Sequence, residues 1–150
     1  MSSIHHVFNE AQLQFIVKSP AGAVAKDLIK RGARVESRAK RNLSGGTSGP
    51  KRIDTGHLRS SIKSQLIVRP EGLAVRVGTG VRYARWVHDG TGIYGPHHTL
   101  IKPTHGKVMV WRSHIYGAKK GKWKGKVVVR STKGMRPNPF LANALHTFKT

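Results

Sequence analysis

The longest helical pattern in the chain runs from a helix-start signal to a glycine-rich stretch, and it limits how the rest can pack. Ser19-Pro20 is a favourable helix start, since serine caps free N–H groups and proline fits the first turn. The glycine-rich stretch 44–50 stops a helix, so the sequence predicts one helix over residues 19–43. At about 100° per residue, one arc of it is apolar. This arc consists of Ala21, Val24, Ala25, Leu28, Gly32, Val35 and Ala39. Gly32 within an apolar stripe indicates close approach of another element.

The opposite arc of this helix is almost uniformly basic. It carries Lys26, Lys30, Arg34, Arg38 and Arg41, which together are called the cationic ridge. Charged helix faces are usually just solvated, but such faces normally mix both signs. The ridge therefore indicates a polyanion or an acidic protein as its neighbour.

The whole chain shares this imbalance, with 28 Lys and Arg against 6 Asp and Glu and a formal net charge of +22. A compact protein this basic repels itself, so we expect it to work beside acidic material. Binding to phosphates releases counterions and gives strong, sequence-independent attraction to nucleic acid. A basic surface that only neutralises acidic neighbours in an assembly explains the composition equally well.

A second basic segment lies in residues 113–126, which the pattern predicts to be a long hairpin loop. Its lysines are Lys119, Lys120, Lys122, Lys124 and Lys126. Trp123 lies among them and could stack on a base. An exposed hairpin tip kept soluble by lysine accounts for the segment as well. No sequence signature of a base-reading fold accompanies it, so any nucleic-acid contact is expected to be sequence-blind.

The remaining patterns predict short strands and helices. Residues 54–62 (DTGHLRSSI) form a helical turn, and residues 65–69 and 73–78 form a hairpin around a proline–glycine turn. Residues 82–92 begin as a short aromatic helix and end in glycines. Two more strands are predicted at 107–112 and 126–130, and a last helix begins at residue 138.

Together these elements predict an α+β fold. We expect a mainly antiparallel four-stranded sheet packed by a long N-terminal helix, a short central helix and a C-terminal helix. The length predicts one domain spanning residues 1–150. Residues 1–18 form a lead-in arm with strand character, and residues 44–53 form a flexible linker.

The acidic residues argue against an enzyme, because hydrolases and nucleases need paired or clustered carboxylates. The six acids are scattered along the chain rather than clustered: Glu10, Asp27, Glu36, Asp54, Glu71 and Asp89. His88 and Asp89 are adjacent, but neighbours on a helix point apart. His97, His98 and His105 share a loop without the spacing of a zinc site, and the chain has no cysteine. We expect no catalysis, no metal and no cofactor.

No apolar run approaches the roughly 20 residues that cross a bilayer, and the N-terminus MSSIHHVFNE lacks the pattern of a signal peptide. The expectation is a protein made in the cytoplasm with no membrane partner.

Four segments, taken in order, carry a resemblance to a bacteriophage family. They are DTGHLRSSI (54–62), VRVGTGVRYARWVHDGTG (75–92), KVMVW (107–111) and MRPNPFLANAL (135–145). Their order resembles the HK97 gp10-like tail-completion or head–tail joining proteins of long-tailed phages. The matching positions are Thr55, Gly56, Leu58, Ile62, Gly78, Thr79, Tyr83, Ala84, Val87, Gly90, Thr91, Pro139, Phe140 and Leu141. The chain departs from the family pattern at residues 113–126 and at His88-Asp89.

The resemblance implies a non-enzymatic virion protein, made in the host cytoplasm, that forms a ring, often hexameric, in the neck or at the top of the tail. Its implied partners are its own copies, the connector or stopper, the tail terminator and the tail tube, with nonspecific contact to packaged DNA. It also implies that Tyr83, Trp86 and Val87 anchor a short helix on the sheet. Gly90 and Gly92 would then turn the chain into a loop that reaches a neighbouring subunit. A minor tail protein or terminator elsewhere in the tail, and a free nucleic-acid-binding protein, stay open as alternatives.

Overall fold

The structure is a computed structural model that describes residues 9–45, 53, 55–112 and 124–147. Its helices and strands, in chain order, are α1 (Glu10–Lys18), α2 (Ala23–Leu43), α3 (His57–Ser61), β1 (Lys63–Arg69), β2 (Gly72–Gly78), α4 (Ala84–Asp89), β3 (Met109–Arg112), β4 (Lys126–Val129) and α5 (Phe140–His146), with a 3-10 turn at Gly92–Tyr94. The chain forms two compact units. Unit 1 contains the chain up to Val81 and from Phe140 onward, and unit 2 is Arg82–Pro139. The single-domain organisation stays a prediction.

In unit 1, the core forms where α2 packs on the β1–β2 hairpin and on α5. Its buried apolar side chains are Ala25, Val35, Ala39, Leu43, Leu58, Ile62, Phe140 and Ala144. Gly32 faces the hairpin so closely that a Cβ there would lie 2.5 Å from Val75 Cγ1. The close approach predicted from Gly32 is therefore confirmed.

A buried amide fastens the end of α2 to the start of α5. Asn42 Nδ2 donates a hydrogen bond to the Phe140 carbonyl oxygen at 3.0 Å. Both residues are buried. The bond fixes two segments that lie 98 positions apart in the chain.

The prediction of one four-stranded sheet is wrong for the described chain, which contains two separate two-stranded antiparallel sheets. One pairs β1 with β2, from Lys63↔Gly78 to Arg69↔Gly72. The other pairs β3 with β4, from Met109↔Val129 to Arg112↔Lys126. Alternating apolar residues identify strands and turn residues join neighbours into hairpins, but neither feature specifies whether two hairpins share a ladder.

The predicted strand in the lead-in arm is also wrong over its described part, because residues 10–18 form α1. Asn9 caps this helix, with its Oδ1 accepting from the Gln12 N–H at 3.2 Å. Ser19 ends α1 instead of starting α2, and its N–H donates to the Phe15 carbonyl at 3.0 Å. Pro20 cannot continue a helix, so the Ser-Pro pair marks a boundary that serves as a stop as readily as a start.

Two predicted segments fall largely outside the described residues. They are the linker, of which residues 44, 45 and 53 are described, and the basic loop 113–126, of which residues 124–126 are described. Lys119, Lys120 and Lys122 lie outside. None of the described helices combines the length and the apolarity that crossing a bilayer requires.

Candidate functional site

The cationic ridge lies on the side of α2 opposite its buried face. Lys26, Lys30, Arg34 and Arg41 are exposed, and Arg38 is half-buried. Four of the five line a shallow groove of about 500 Å³ together with Ala33 and Ser37. Within the described part of the chain, no ridge residue makes an ion pair. These charges are therefore available to a partner, while the opposite face of α2 packs.

The two acids on α2 do not neutralise this ridge. Asp27 pairs with Arg31 at 2.7 Å, and Glu36 Oε1 accepts from Lys40 Nζ at 2.6 Å. Glu36 Oε2 also accepts from the backbone N–H and the hydroxyl of Ser64, both at 2.8 Å. The hydrogen bond from Lys40, followed by those from Ser64, outweighs burial and lowers the pKa of Glu36. Glu36 therefore connects α2 to β1.

A second surface of unit 1 is an apolar groove of about 570 Å³ between α2, the β1–β2 hairpin and α5. Its lining is Leu28, Arg31, Gly32, Val35, Ile67, Arg69, Ala74, Val75, Arg76, Val77, Leu141, Ala142 and Leu145. The side chains are aliphatic apart from three arginines. This arrangement suits an apolar segment that carries a negative charge.

The third surface is α1, none of whose side chains is buried. Leu13, Phe15, Ile16 and Val17 are all exposed, a high density of large apolar groups for nine residues. Exposed apolar clusters of this kind mark contact sites for other proteins.

In unit 2, the glycine-rich turn after α4 crosses a second backbone segment, the one around Met135. The Thr91 N–H donates to the Met135 carbonyl at 2.9 Å, and the Met135 N–H donates to Thr91 Oγ1 at 2.9 Å. Gly90 and Gly92 have φ of 80° and 66°. A Cβ at position 90 would lie 2.9 Å from the Met135 oxygen, and one at position 92 would collide with the Lys133 carbonyl. These glycines thus hold a crossing together; a loop that reaches a neighbouring subunit stays a prediction.

The aromatic residues of α4 do not anchor it as the sequence predicted. Ala84 and Val87 are buried, whereas Trp86 is 61% exposed and Tyr83 is also exposed. Of the predicted anchors Tyr83, Trp86 and Val87, only Val87 is buried, and it shares a helix face with Ala84, three residues earlier. The Val87 carbonyl also accepts from the Asn138 N–H at 3.0 Å.

His88 and Asp89 meet, contrary to the expectation that they point apart. The His88 Nδ1 and Asp89 Oδ1 are 2.8 Å apart, and Arg85 Nε lies 3.4 Å from the other carboxylate oxygen. The hydrogen bond from His88 is the main cause that lowers the pKa of Asp89. Asp89 therefore pairs with Arg85 of its own helix, next to the Gly90 turn.

Most family-motif positions serve the fold of their unit. Leu58, Ile62 and Phe140 are core residues, and Leu141 lines the apolar groove. Thr79 Oγ1 lies 2.6 Å from Ser61 Oγ and accepts from the Val81 N–H at 3.1 Å. Thr55 Oγ1 accepts from the His57 N–H at 3.4 Å, next to Gly56 at φ 80°.

In the described chain, no three His, Cys, Asp or Glu side chains group together as a metal site would need.

Comparison with protein families identifies the class of protein. The family model described as "Bacteriophage HK97-gp10, putative tail-component" matches residues 12–90, which is more than half of the chain. The chain belongs to this HK97 gp10-like family of bacteriophage tail components. The matched span covers the first of the four resembling segments and the second as far as Gly90. Comparisons with curated proteins and with solved structures found no match.

Proposed function

We propose that this chain is a structural, non-enzymatic subunit of the neck or upper tail of a long-tailed phage, assembled as a ring of six copies. Membership of a tail-component family supports a virion role. The observation that carries the proposal further is the cationic ridge, exposed along α2 and free of ion pairs among the described residues.

The ridge suits a surface beside DNA or beside an acidic adjoining ring. From Lys30 to Arg41 it extends roughly 16 Å along α2, at about 1.5 Å per residue. Duplex DNA presents a phosphate about every 3.4 Å on each strand, so several phosphates can face these four cations at once. Contacts of this kind ignore sequence and exchange readily, as a channel for passing DNA requires.

Cryo-electron microscopy of assembled particles tests this proposal, with the chain located by a C-terminal tag. The expected result is ring density for the tagged chain between the capsid and the tail tube. Density elsewhere along the tail would favour a minor tail protein or a terminator. Absence of the chain from purified virions by mass spectrometry would overturn the proposal.

The groove lined by Lys30, Arg34, Arg38, Arg41 and Ser37 also favours a second candidate, a sequence-nonspecific nucleic-acid-binding protein that acts outside the particle. Two results together would support it: the isolated chain binds duplex DNA tightly at physiological salt, and purified virions lack the chain.

A further inference from the structure

We infer that α1 of one copy docks in the apolar groove of the next copy, and that this contact builds the ring. The inference rests on the ring assembly proposed above. Both halves of this subunit contact belong to unit 1.

The donor half is one face of α1. Leu13, Ile16 and Val17 follow helical spacing i, i+3 and i+4, so they share a face. Leu13 is 53% exposed and Ile16 is 50% exposed. Although α1 contacts α2 and β2, none of its side chains becomes buried there. A helix with this composition is stable when its apolar face is covered.

Two backbone hydrogen bonds and a buried glycine fix the joint between α1 and α2. The Ser19 N–H donates to the Phe15 carbonyl, and the Gly22 N–H donates to the Ser19 carbonyl, both at 3.0 Å. Gly22 is buried in this corner, where a Cβ would lie 3.0 Å from the Ile16 oxygen. No residue of α1 lines the groove. Since no α1 residue enters the groove of its own chain, the exposed apolar face of α1 is available to another copy.

The acceptor half is the groove between α2, the hairpin and α5. Its aliphatic lining includes Val35, Val75 and Leu141, and Leu145 at its edge is 56% exposed. A volume of about 570 Å³ is large enough to receive several side chains from one helix face.

Charge selects α1 as the occupant. Of the acids in the described chain, Asp27, Glu36, Glu71 and Asp89 each pair with a cation of the same chain, and Glu10 does not. Glu10 is in the first turn of α1. The groove contributes Arg76, an exposed arginine that has no ion pair within the described residues. In a chain of net charge +22, the helix that fits the groove thus brings its own unpaired acid.

Such a contact can build a ring. Each copy offers one helix and one groove at different places on its surface, which is a heterologous interface. Repeating a heterologous interface closes a ring when the rotation between copies closes, and otherwise gives an open filament. Reciprocal exchange between two copies would instead give a closed dimer.

Disulfide trapping tests the contact, and the natural chain has no cysteine to interfere. The full chain is prepared as the single variants Ile16→Cys and Leu145→Cys, mixed and oxidised. Ile29→Cys replaces Ile16→Cys as the matched control, because Ile29 is 49% exposed in α2 and lines neither groove. We expect covalent dimers from the first mixture and at most trace amounts from the control.

The double variant Ile16→Cys/Leu145→Cys then counts subunits, because each copy can link forward and backward. The expected product is a ladder of covalent oligomers whose largest band gives the ring size. A monomer closed on itself, or a ladder that stops at two, would overturn the inference.

Assembly of variants without cysteine gives an independent readout. Ile16→Asp should raise the concentration for half-assembly by roughly tenfold or more, the factor expected for a central interface side chain. Ile29→Asp should leave it unchanged. If the natural chain forms rings but Ile16→Asp assembles normally, the docking contact is wrong and the ring stands. A natural chain that stays monomeric at all concentrations would overturn both.

Discussion

Glu36 receives both hydrogen bonds that Ser64 can donate, one from its backbone N–H and one from its hydroxyl, each at 2.8 Å to Oε2. Ser64 lies at the start of β1, so one carboxylate on α2 fixes where the hairpin begins against the helix. Asp27 lies on the same helix and pairs only with exposed Arg31. The two acids lie nine residues apart on α2, but Glu36 joins the helix to β1 whereas Asp27 pairs within the helix.

The first prediction compares these two acids by neutral substitution. Glu36→Gln keeps the shape but weakens charge-assisted hydrogen bonds at a half-buried site, so the free energy of unfolding should fall by about 1–3 kcal/mol. Asp27→Asn removes an exposed i,i+4 pair and should change it by no more than about 0.5 kcal/mol. Urea unfolding followed by circular dichroism measures both. Equal changes in the free energy of unfolding for the two variants would mean that the hydrogen bonds between Ser64 and Glu36 add no stability.

The second prediction concerns acid pH. The pKa of Glu36 lies below its ordinary value of 4.5 in the folded chain, and that of Asp89 lies below 3.8. Between the ordinary and the lowered pKa the unfolded chain binds more protons, so stability is present above the ordinary pKa and falls as pH decreases. Urea midpoints at constant ionic strength should therefore drop below about pH 4.5. The drop should be smaller in Glu36→Gln, and an identical pH profile would contradict the assignment to Glu36.

The third prediction tests the backbone crossing in unit 2. Gly92→Ala imposes φ of 66° on an L residue and directs its Cβ at the Lys133 carbonyl. We therefore expect the free energy of unfolding to fall by about 3 kcal/mol or more. Gly106→Ala is the matched control, because its φ is 81° with no atom within 4 Å of the added Cβ. It should lose only about 1 kcal/mol, the cost of the left-handed conformation. Similar losses measured by thermal unfolding would show that the crossing tolerates a side chain.

The fourth prediction separates the two faces of α4. Trp86→Ala should change the stability of the free chain by no more than about 0.5 kcal/mol, since its side chain is largely exposed. Val87→Ala removes buried methyl groups and should cost about 1–3 kcal/mol in the same denaturant measurement. A large loss from Trp86→Ala would restore the tryptophan as the anchor.

Local patterns predicted the elements of this chain better than their assembly. The apolar arc of α2 and the buried positions Leu58, Ile62 and Phe140 follow from helical periodicity, which depends on residues close in sequence. Three features depend on segments far apart in the chain. They are the separation of the two hairpins into two sheets, the Asn42–Phe140 hydrogen bond and the apolar groove. The prediction that Trp86 anchors α4 was wrong for a related reason, because side-chain size does not decide which of two equally spaced helix faces is covered.

The last prediction addresses the cationic ridge as a phosphate-binding surface. Arg34→Ala/Arg38→Ala removes two adjacent cations of the ridge groove, so the slope of log affinity for duplex DNA against log salt should decrease by about 1.8, at about 0.9 per phosphate contact. Arg34→Lys/Arg38→Lys keeps the charge and should keep the slope, because a nonspecific contact needs positive charge more than the planar guanidinium. Fluorescence anisotropy with unrelated duplexes, at several salt concentrations, measures both variants. An unchanged slope in the alanine variant would exclude this part of the ridge from the DNA contact.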